Sequence, residues 1–559
     1  MFQILHPVRA TPSHVFRRFA PWLAGAGMVL AEVCVPVIAQ VTPAPPQSSA
    51  PAGQTTPQTA NPLSTGPVLT PQLGEERQTT EPKRAWTFQP RASLGETLTD
   101  NVNPASGTKL ADQITEFAAG FRVQVDDAWL KGYADYQATV YSYARGSFGS
   151  RTQNALNAFG TYEVVAKQLY IDASGTISQQ SISAFGPQVA STAIVSSNRT
   201  EVSSFRLSPY LKGKIANAAD YEVRYRSTLT DSKSSLTSNS VQHEWSAKLK
   251  NSVTKAPFGW SIDASAQVNS YSTGSRSESS RIRSLVSYQV FPDIKLSASV
   301  GQEANDYLTI NRQSRLTKGY GFDWTPTDRT VVSGFNENRI FGQSSAYSVS
   351  HRTPLAAFKF TDSSDVSFLP NQFTTVGLGT IYDLLYAQLA SATPDPIARA
   401  QQVSNLLAQT GIAPNSQVTS GFLTSRVSLS KRQDISMVLN GVRNTVTLAV
   451  TRSTQATLGA AVGLGDFSLA SSVTQKGFSG SWAYRLTPLA SLTAVLSQQE
   501  SRGSGATVLG SRFQTATLNY TTRIAAQTNL TMGIRTSAFA SDAISYRENA
   551  VLATLVARF

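Results

Sequence analysis

The residues that could do chemistry here are mostly cations placed at every second position of polar-apolar runs. Arg91, Arg122, Lys131, Arg206, Lys212, Lys214, Arg224, Arg226, Arg281, Arg283, Lys295 and Arg426 all fall on the polar parity of such runs. Glu116, Asp135, Asp172, Glu222 and Asp263 share that parity. On a closed sheet this parity faces inward, and two readings follow. An excess of inward cations draws anions into a pore, or the charges pair with the acids and hydrate the interior. The core candidate set for the first reading is Arg91, Lys131, Arg224, Arg226, Arg281, Arg283, Lys295 and Arg426. Catalytic and cofactor chemistry has little to stand on. The single cysteine, Cys34, lies in the leader, so the mature chain is expected to have no disulfide, no thiolate nucleophile and no Cys-metal site. Outside the leader only His243 and His351 remain, too few and too isolated for a metal or His-based centre. An enzyme would need a serine and an acid assembled around one of them. Gly477-Phe478-Ser479-Gly480-Ser481 has its second glycine misplaced for a nucleophile elbow. Asp100-Asn101-Val102 fails calcium-loop spacing at its third position and reads as an Asp/Asn turn. No catalytic residue, metal ligand or cofactor is assigned.

The elements that hold these cations are strands. Phe258, Trp260, Ile262, Ala264, Ala266 and Val268 oppose Ser261, Asp263, Ser265 and Gln267. Leu169, Ile171, Ala173, Gly175 and Ile177 oppose Tyr170, Asp172, Ser174 and Thr176. Runs of roughly 9–11 residues with this period cross a bilayer as tilted strands, one face to lipid and one to a polar lumen. Composition agrees. Charged residues are only 15% of the chain and mean hydropathy is −0.16, low in charge without being strongly apolar. The last nine residues end the pattern, with Val551, Ala553, Leu555, Ala557 and the terminal Phe559 on one parity. That stretch is expected to pair with the strand beginning at Trp86 and to be read by the barrel assembly machinery.

Connection lengths alternate. Tight turns are expected near Asp126-Asp127, Ala166-Lys167, Asn217-Ala218-Ala219, Ala256-Pro257, Pro292-Asp293, Pro326-Thr327-Asp328, Thr353-Pro354, Arg432-Gln433, Thr487-Pro488 and Ala525-Ala526. Longer Ser/Gly/Asn/Thr-rich connections lie between them. Ten turns and eleven longer loops predict an all-β, antiparallel up-and-down transmembrane β-barrel of about 22 strands, within about two either way (20–24). Trp86, Trp129, Trp260, Trp324 and Trp482 gather near the tight-turn end, as an interfacial girdle does; Trp245 stands apart.

Upstream, residues 1–39 read as a secretory signal ending at Val37-Ile38-Ala39. Residues 40–84 read as a disordered periplasmic linker, with eight prolines between Val41 and Gln72. Residues 85–559 are the barrel. Within it, 372–415 breaks the alternation. Ile381, Leu384, Leu385 and Leu389, then Ile397, Ala400, Val403, Leu406 and Leu407, follow helical spacing around Asp395-Pro396. This predicts a helical insert that constricts the lumen or covers its mouth.

The net charge of +13, or +11 without the leader residues Arg9, Arg17, Arg18 and Glu32, calls for an anionic neighbour. Outer-membrane lipids and lipopolysaccharide, an acidic polysaccharide or small anions fit. Nucleic acid does not, because no dense Lys/Arg block exists. Pro90-Arg91-Ala92-Ser93-Leu94-Gly95-Glu96-Thr97-Leu98-Thr99-Asp100-Asn101-Val102 resembles the opening of a family of outer-membrane proteins associated with the PEP-CTERM/exosortase system. Gly441-Val442-Arg443-Asn444-Thr445-Val446 and Tyr546-Arg547-Glu548-Asn549 look like further family positions. The resemblance implies a β-barrel of a Gram-negative outer membrane, encoded near exopolysaccharide and protein-sorting genes. It also implies a role in envelope or polysaccharide export, with export components as partners. The expected function is a channel or export component for solutes or exopolysaccharide. The alternatives are a structural or adhesion barrel without transport and, more weakly, an outer-membrane enzyme.

Overall fold

A strand exposed to lipid must satisfy every backbone N–H and C=O through its neighbours, so the sheet has to close on itself. It does so here. The computed structural model describes residues 85–559, apart from 105–107, 217, 253–256, 274–275, 310, 368–398, 401–402, 404–421, 424–426, 460–464 and 506–508. The expected signal and linker lie outside the described residues. So does the expected insert, except Arg399, Ala400 and Val403, which have helical backbone.

The chain enters in β1 (Trp86–Thr99) and continues through β2 (Asp112–Asp126), β3 (Leu130–Tyr143), β4 (Arg151–Val165) and β5 (Leu169–Ser181). It then runs through β6 (Arg199–Ile215), β7 (Ala219–Ser232), β8 (Ser240–Asn251), β9 (Phe258–Tyr271) and β10 (Ser277–Phe291). Next come β11 (Ile294–Asn305), β12 (Gln313–Thr327), β13 (Thr330–Arg339), β14 (Gly342–Arg352) and β15 (Ala356–Ser367). The last group is β16 (Ser428–Asn440), β17 (Asn444–Thr457), β18 (Ser472–Thr487), β19 (Ala490–Ser504), β20 (Leu509–Ala525), β21 (Thr528–Ser541) and β22 (Ser545–Arg558). Each strand pairs antiparallel with the next, and β22 pairs with β1, giving a closed 22-stranded barrel.

The alternation sets the two faces. Phe88, Leu94 and Leu98 of β1 are exposed on the outside, as are Leu296 and Val300 of β11 and Val551 and Leu555 of β22. The polar parity faces in. This apolar outer band on a closed barrel with a polar interior is that of an outer-membrane protein. Trp324 and Trp482 sit at the tight-turn end, their indole N–H groups donating to Asp293 Oδ2 (3.2 Å) and Asn444 Oδ1 (3.0 Å). An interfacial indole wants this arrangement, with its ring in lipid and its N–H on a polar partner.

Two expectations need correction. Arg432-Gln433 is no turn but lies within β16, and the hairpin reverses at Gly441–Arg443, where Gly441 N donates to Asn444 O at 2.7 Å. The pair looked turn-like because it is polar. Arg432 instead faces the lumen and bonds Asp434 (2.7 Å), while Gln433 faces outward and bonds Asp362 (2.8 Å). The connections at the other end are also not uniformly long. β13 and β14 join through only Ile340-Phe341, and Gly342 takes φ +116°, a conformation that suits glycine alone. Gly465–Ser468 forms a 3-10 turn in the β17–β18 loop.

Candidate functional site

The lumenal wall carries the expected cations, and the register shows what each faces. In the β5–β13 sector acids answer them. Arg224 bonds Asp172 (2.7 Å) and Glu222 (2.9 Å), and Arg226 bonds Glu244 (2.6 Å). Arg283 bonds Asp263 (3.1 Å), and Glu337, almost fully buried, pairs with Arg281. Lys295 stands directly opposite Asp323, and Lys214 opposite Asp220. Lys131, near the tight turns, pairs with Asp126 (3.6 Å). Arg206 donates to Thr228 Oγ1 (3.3 Å), and Lys212 caps the ring of Tyr170 at 4.1 Å. Arg426 lies outside the described residues. Across this sector acids answer most of the cations, while Arg206 and Lys212 are met by a hydroxyl and an aromatic ring. The sequence list did not include Arg339, whose guanidinium forks onto Glu303 (2.7 and 3.0 Å) and reaches Asp365 (2.6 Å).

The seam sector differs. Arg91 of β1 faces Arg558 of β22 in direct register. Arg122 of β2 and Arg523 of β20 add their charges to the same group, and Asp135 of β3 is the carboxylate that answers it. Asp135 accepts from Arg91 at 2.6 Å and lies 3.8 Å from Arg122. Gln137 Oε1 takes a further Arg91 bond at 3.3 Å. Like charges directly opposed across a strand pair are destabilising. Among the described residues, four arginines with one such acid therefore make a local positive field inside the tight-turn half of the lumen. Arg523 and Arg558 were missed in the sequence. Their signal was parity, since both fall on the inward set of their strands.

The same seam closes with a latch at its loop end. Asp100 accepts from Asn549 N (2.7 Å), Asn549 Nδ2 (3.0 Å) and Lys109 Nζ (2.6 Å). Asn101 Nδ2 donates to Arg547 O at 3.2 Å. Inside, fully buried Glu548 accepts from Arg535 (2.7 Å), Ser537 (2.8 Å) and Thr99 (3.2 Å). The first and last of the singled-out motifs, far apart in sequence, thus meet in space. Burial raises the Asp100 carboxyl, but the bonds from Lys109 and Asn549 outweigh it and hold the group below its usual value.

The outer mouth is narrowed by the β5–β6 loop, 182–198, which turns inward rather than out to water. Inward aromatics hold it. Tyr143 OH donates to Ala193 O (2.7 Å), Tyr141 OH meets Thr192 Oγ1 (2.9 Å), and Tyr546 OH donates to Gln188 O. On the opposite side of the barrel, Asp466 accepts from Ser183 Oγ (2.5 Å) and Ala184 N (2.7 Å). Ala184, Phe422, Phe467, Ala470 and Val473 pack into one buried cluster there. Burial pushes the Asp466 carboxyl up, against the pull of those two donors. The helical insert was expected to supply the constriction; among the described residues this loop does so. Ala400 and Val403 of the insert are fully buried.

The two histidines do not build a catalytic group. Both sit on the outward parity. His243 Nδ1 bonds Tyr225 OH (2.8 Å) beside Trp245, and His351 Nδ1 bonds Thr330 Oγ1 (2.9 Å). Among the described residues neither hydrogen-bonds a carboxylate, and no group of three or more His, Cys, Asp or Glu is placed to hold a metal.

Fold and wall together define a transmembrane β-barrel of the outer membrane with a charged lumen and an inward-folded loop. No family model and no curated protein matches the chain. Among solved structures it is similar to the siderophore receptor PirA from Acinetobacter baumannii, at 9% identity over 85% of this chain and 81% of that one, with a TM-score of 0.43. It is also similar to the FrpB iron transporter from Neisseria meningitidis, at 9% identity over 84% and 81%, with a TM-score of 0.46. A ferric enterobactin receptor from Pseudomonas aeruginosa is similar at 8% identity over 84% and 80%, with a TM-score of 0.41.

Proposed function

We propose that this barrel is a channel for anionic solutes, in the direction of uptake or export. The observation that carries this is the Arg91–Arg122–Arg523–Arg558 group, set against Asp135 on the lumenal wall. A purely structural lumen would be expected to neutralise such a group, as the β5–β13 sector does. A field of one sign inside a low-dielectric wall concentrates ions of the other. The narrowed mouth then limits size. The resemblance to PEP-CTERM/exosortase-associated barrels extends the reading to an acidic exopolysaccharide and its export components. Proteoliposomes distinguish solutes directly. An acidic trisaccharide should cross faster than a neutral one of equal size, and equal rates would contradict the reading.

A second reading keeps one observation of its own. The 182–198 loop and the β17–β18 loop form a packed, buried cluster over the mouth. This suits a surface platform for structure or adhesion. In that case neither sugar crosses at a rate above that of empty vesicles.

A further inference from the structure

On β16–β20 the outward positions toward the loops carry a concentration of charges. Gln433, Arg452, Lys476, Glu500 and Arg512 stand directly opposite one another in a continuous cross-strand row. Lys431 and Arg502 lie one rung nearer the loops, on either side of Thr454 and Thr474. One rung the other way the outward set is Ile435, Val450 and Phe478 on β16–β18, exposed and apolar, and Gln498 and Gln514 on β19 and β20. The belt therefore sits on the upper edge of the lipid-facing band.

Its height agrees. From outward Leu486 near the tight turns to Lys476 is about ten residues, or about 33 Å along the strand and about 25 Å vertically at about 40° of tilt. That is the height of the apolar band of such a barrel, so the cations emerge among the headgroups of the outer leaflet. Their aliphatic stems can lie along the apolar rung while the charges rise above it.

The five cations of the belt outnumber its acids, Asp362 and Glu500, of which Glu500 also acts on Lys476 directly opposite it. Glu500 is held by Arg502 at 2.6 Å, with Arg512 at 3.9 Å. Asp362, at the end of the row, is bonded by Gln433. Among the described residues Lys431, Arg452 and Lys476 have no carboxylate within 4.0 Å, the salt-bridge limit. Arg452 faces Lys476 directly, an opposition that costs stability unless an anion sits between them.

We propose that this belt binds the phosphate groups of lipopolysaccharide, with Arg452 and Lys476 at its centre and Lys431, Arg502 and Arg512 around them. A phosphorylated saccharolipid has its acyl chains where Ile435, Val450 and Phe478 lie and its phosphates one rung higher, so it matches both rungs at once. The belt is on the opposite face of the wall from the lumenal arginines, and the inference stands apart from the transport reading.

The test uses the full-length protein in detergent and native mass spectrometry. Diphosphorylated lipid A should bind the parent at least tenfold more tightly than dephosphorylated lipid A, which needs no variant. The Arg452→Ala/Lys476→Ala protein, its folding checked by heat-modifiable gel migration, should lose at least tenfold in lipid A affinity. Lys318→Ala, which removes a lone outward cation on β12, should bind like the parent. Equal binding of the two lipids would overturn the inference. So would unchanged binding by the folded double variant. Inorganic phosphate that competes at the same concentration as the lipid would also overturn it, by assigning the belt to free anions.

Discussion

Glu548 is fully buried and answers Arg535, so removing it leaves a guanidinium without its partner inside the wall. Breaking such a pair costs about 3–5 kcal/mol, far more than its net worth when intact. Glu548→Ala should lower the urea stability of the barrel in lipid vesicles by that order, and an unchanged midpoint would refute the latch. Asp100 makes a pH prediction at the same seam. Its folded value lies below the ordinary 3.8, so its contribution is complete above 3.8 and is lost as pH falls through the lower folded value. Asp100→Asn should therefore lower stability at neutral pH, where the contribution is complete, and flatten the acid limb below pH 3.8, where the two proteins converge. Arg558 works in the other direction. It opposes Arg91 directly, so Arg558→Gln should hold or raise stability while weakening anion preference. A variant that lost both would make Arg558 a structural residue. In the sequence, Arg91 was legible as an inward cation because its strand alternates cleanly. Asp100 read only as a turn residue, since nothing local shows that Asn549 will sit against it.

Among the elements, the strands were legible and the folded-in loop was not. Period two with apolar and polar sets is a local property, and it located β1, β5, β9 and β22 directly. The turn assigned at Arg432-Gln433 failed because two polar residues in sequence can be one lumenal and one above the lipid band. The 182–198 loop falls among the longer Ser/Gly/Asn/Thr-rich connections of the sequence, with no local sign that it folds inward. Two signals point to it indirectly. Ala184, Phe185, Val189, Ala193, Ile194 and Val195 are too apolar for a hydrated loop. Tyr141, Tyr143, Phe513, Phe539 and Tyr546 are large aromatics on the lumenal parity, where polar residues are the rule. Both need the barrel in place before they have meaning. The loop is joined to the far side through Asp466, which takes two of its donors. Asp466→Ala should free 182–198, seen as faster amide exchange over that segment, and should raise single-channel conductance. Unchanged exchange would mean the aromatic contacts alone fix the loop.

At the scale of the molecule, closure was legible because an even number of alternating strands leaves the last beside the first, and β22 does pair with β1. The distribution of charge around the closed wall was not. It depends on which strands become neighbours and on the depth of each residue, and neither is local. That distribution sets the central claim, a lumen whose seam sector is positive in excess of its acids. The most direct measurement is the reversal potential of the purified barrel in a planar bilayer across a tenfold KCl gradient. The account predicts a potential of the sign set by chloride, reduced in the Arg91→Gln/Arg558→Gln protein. A potential of the sign set by potassium would contradict it.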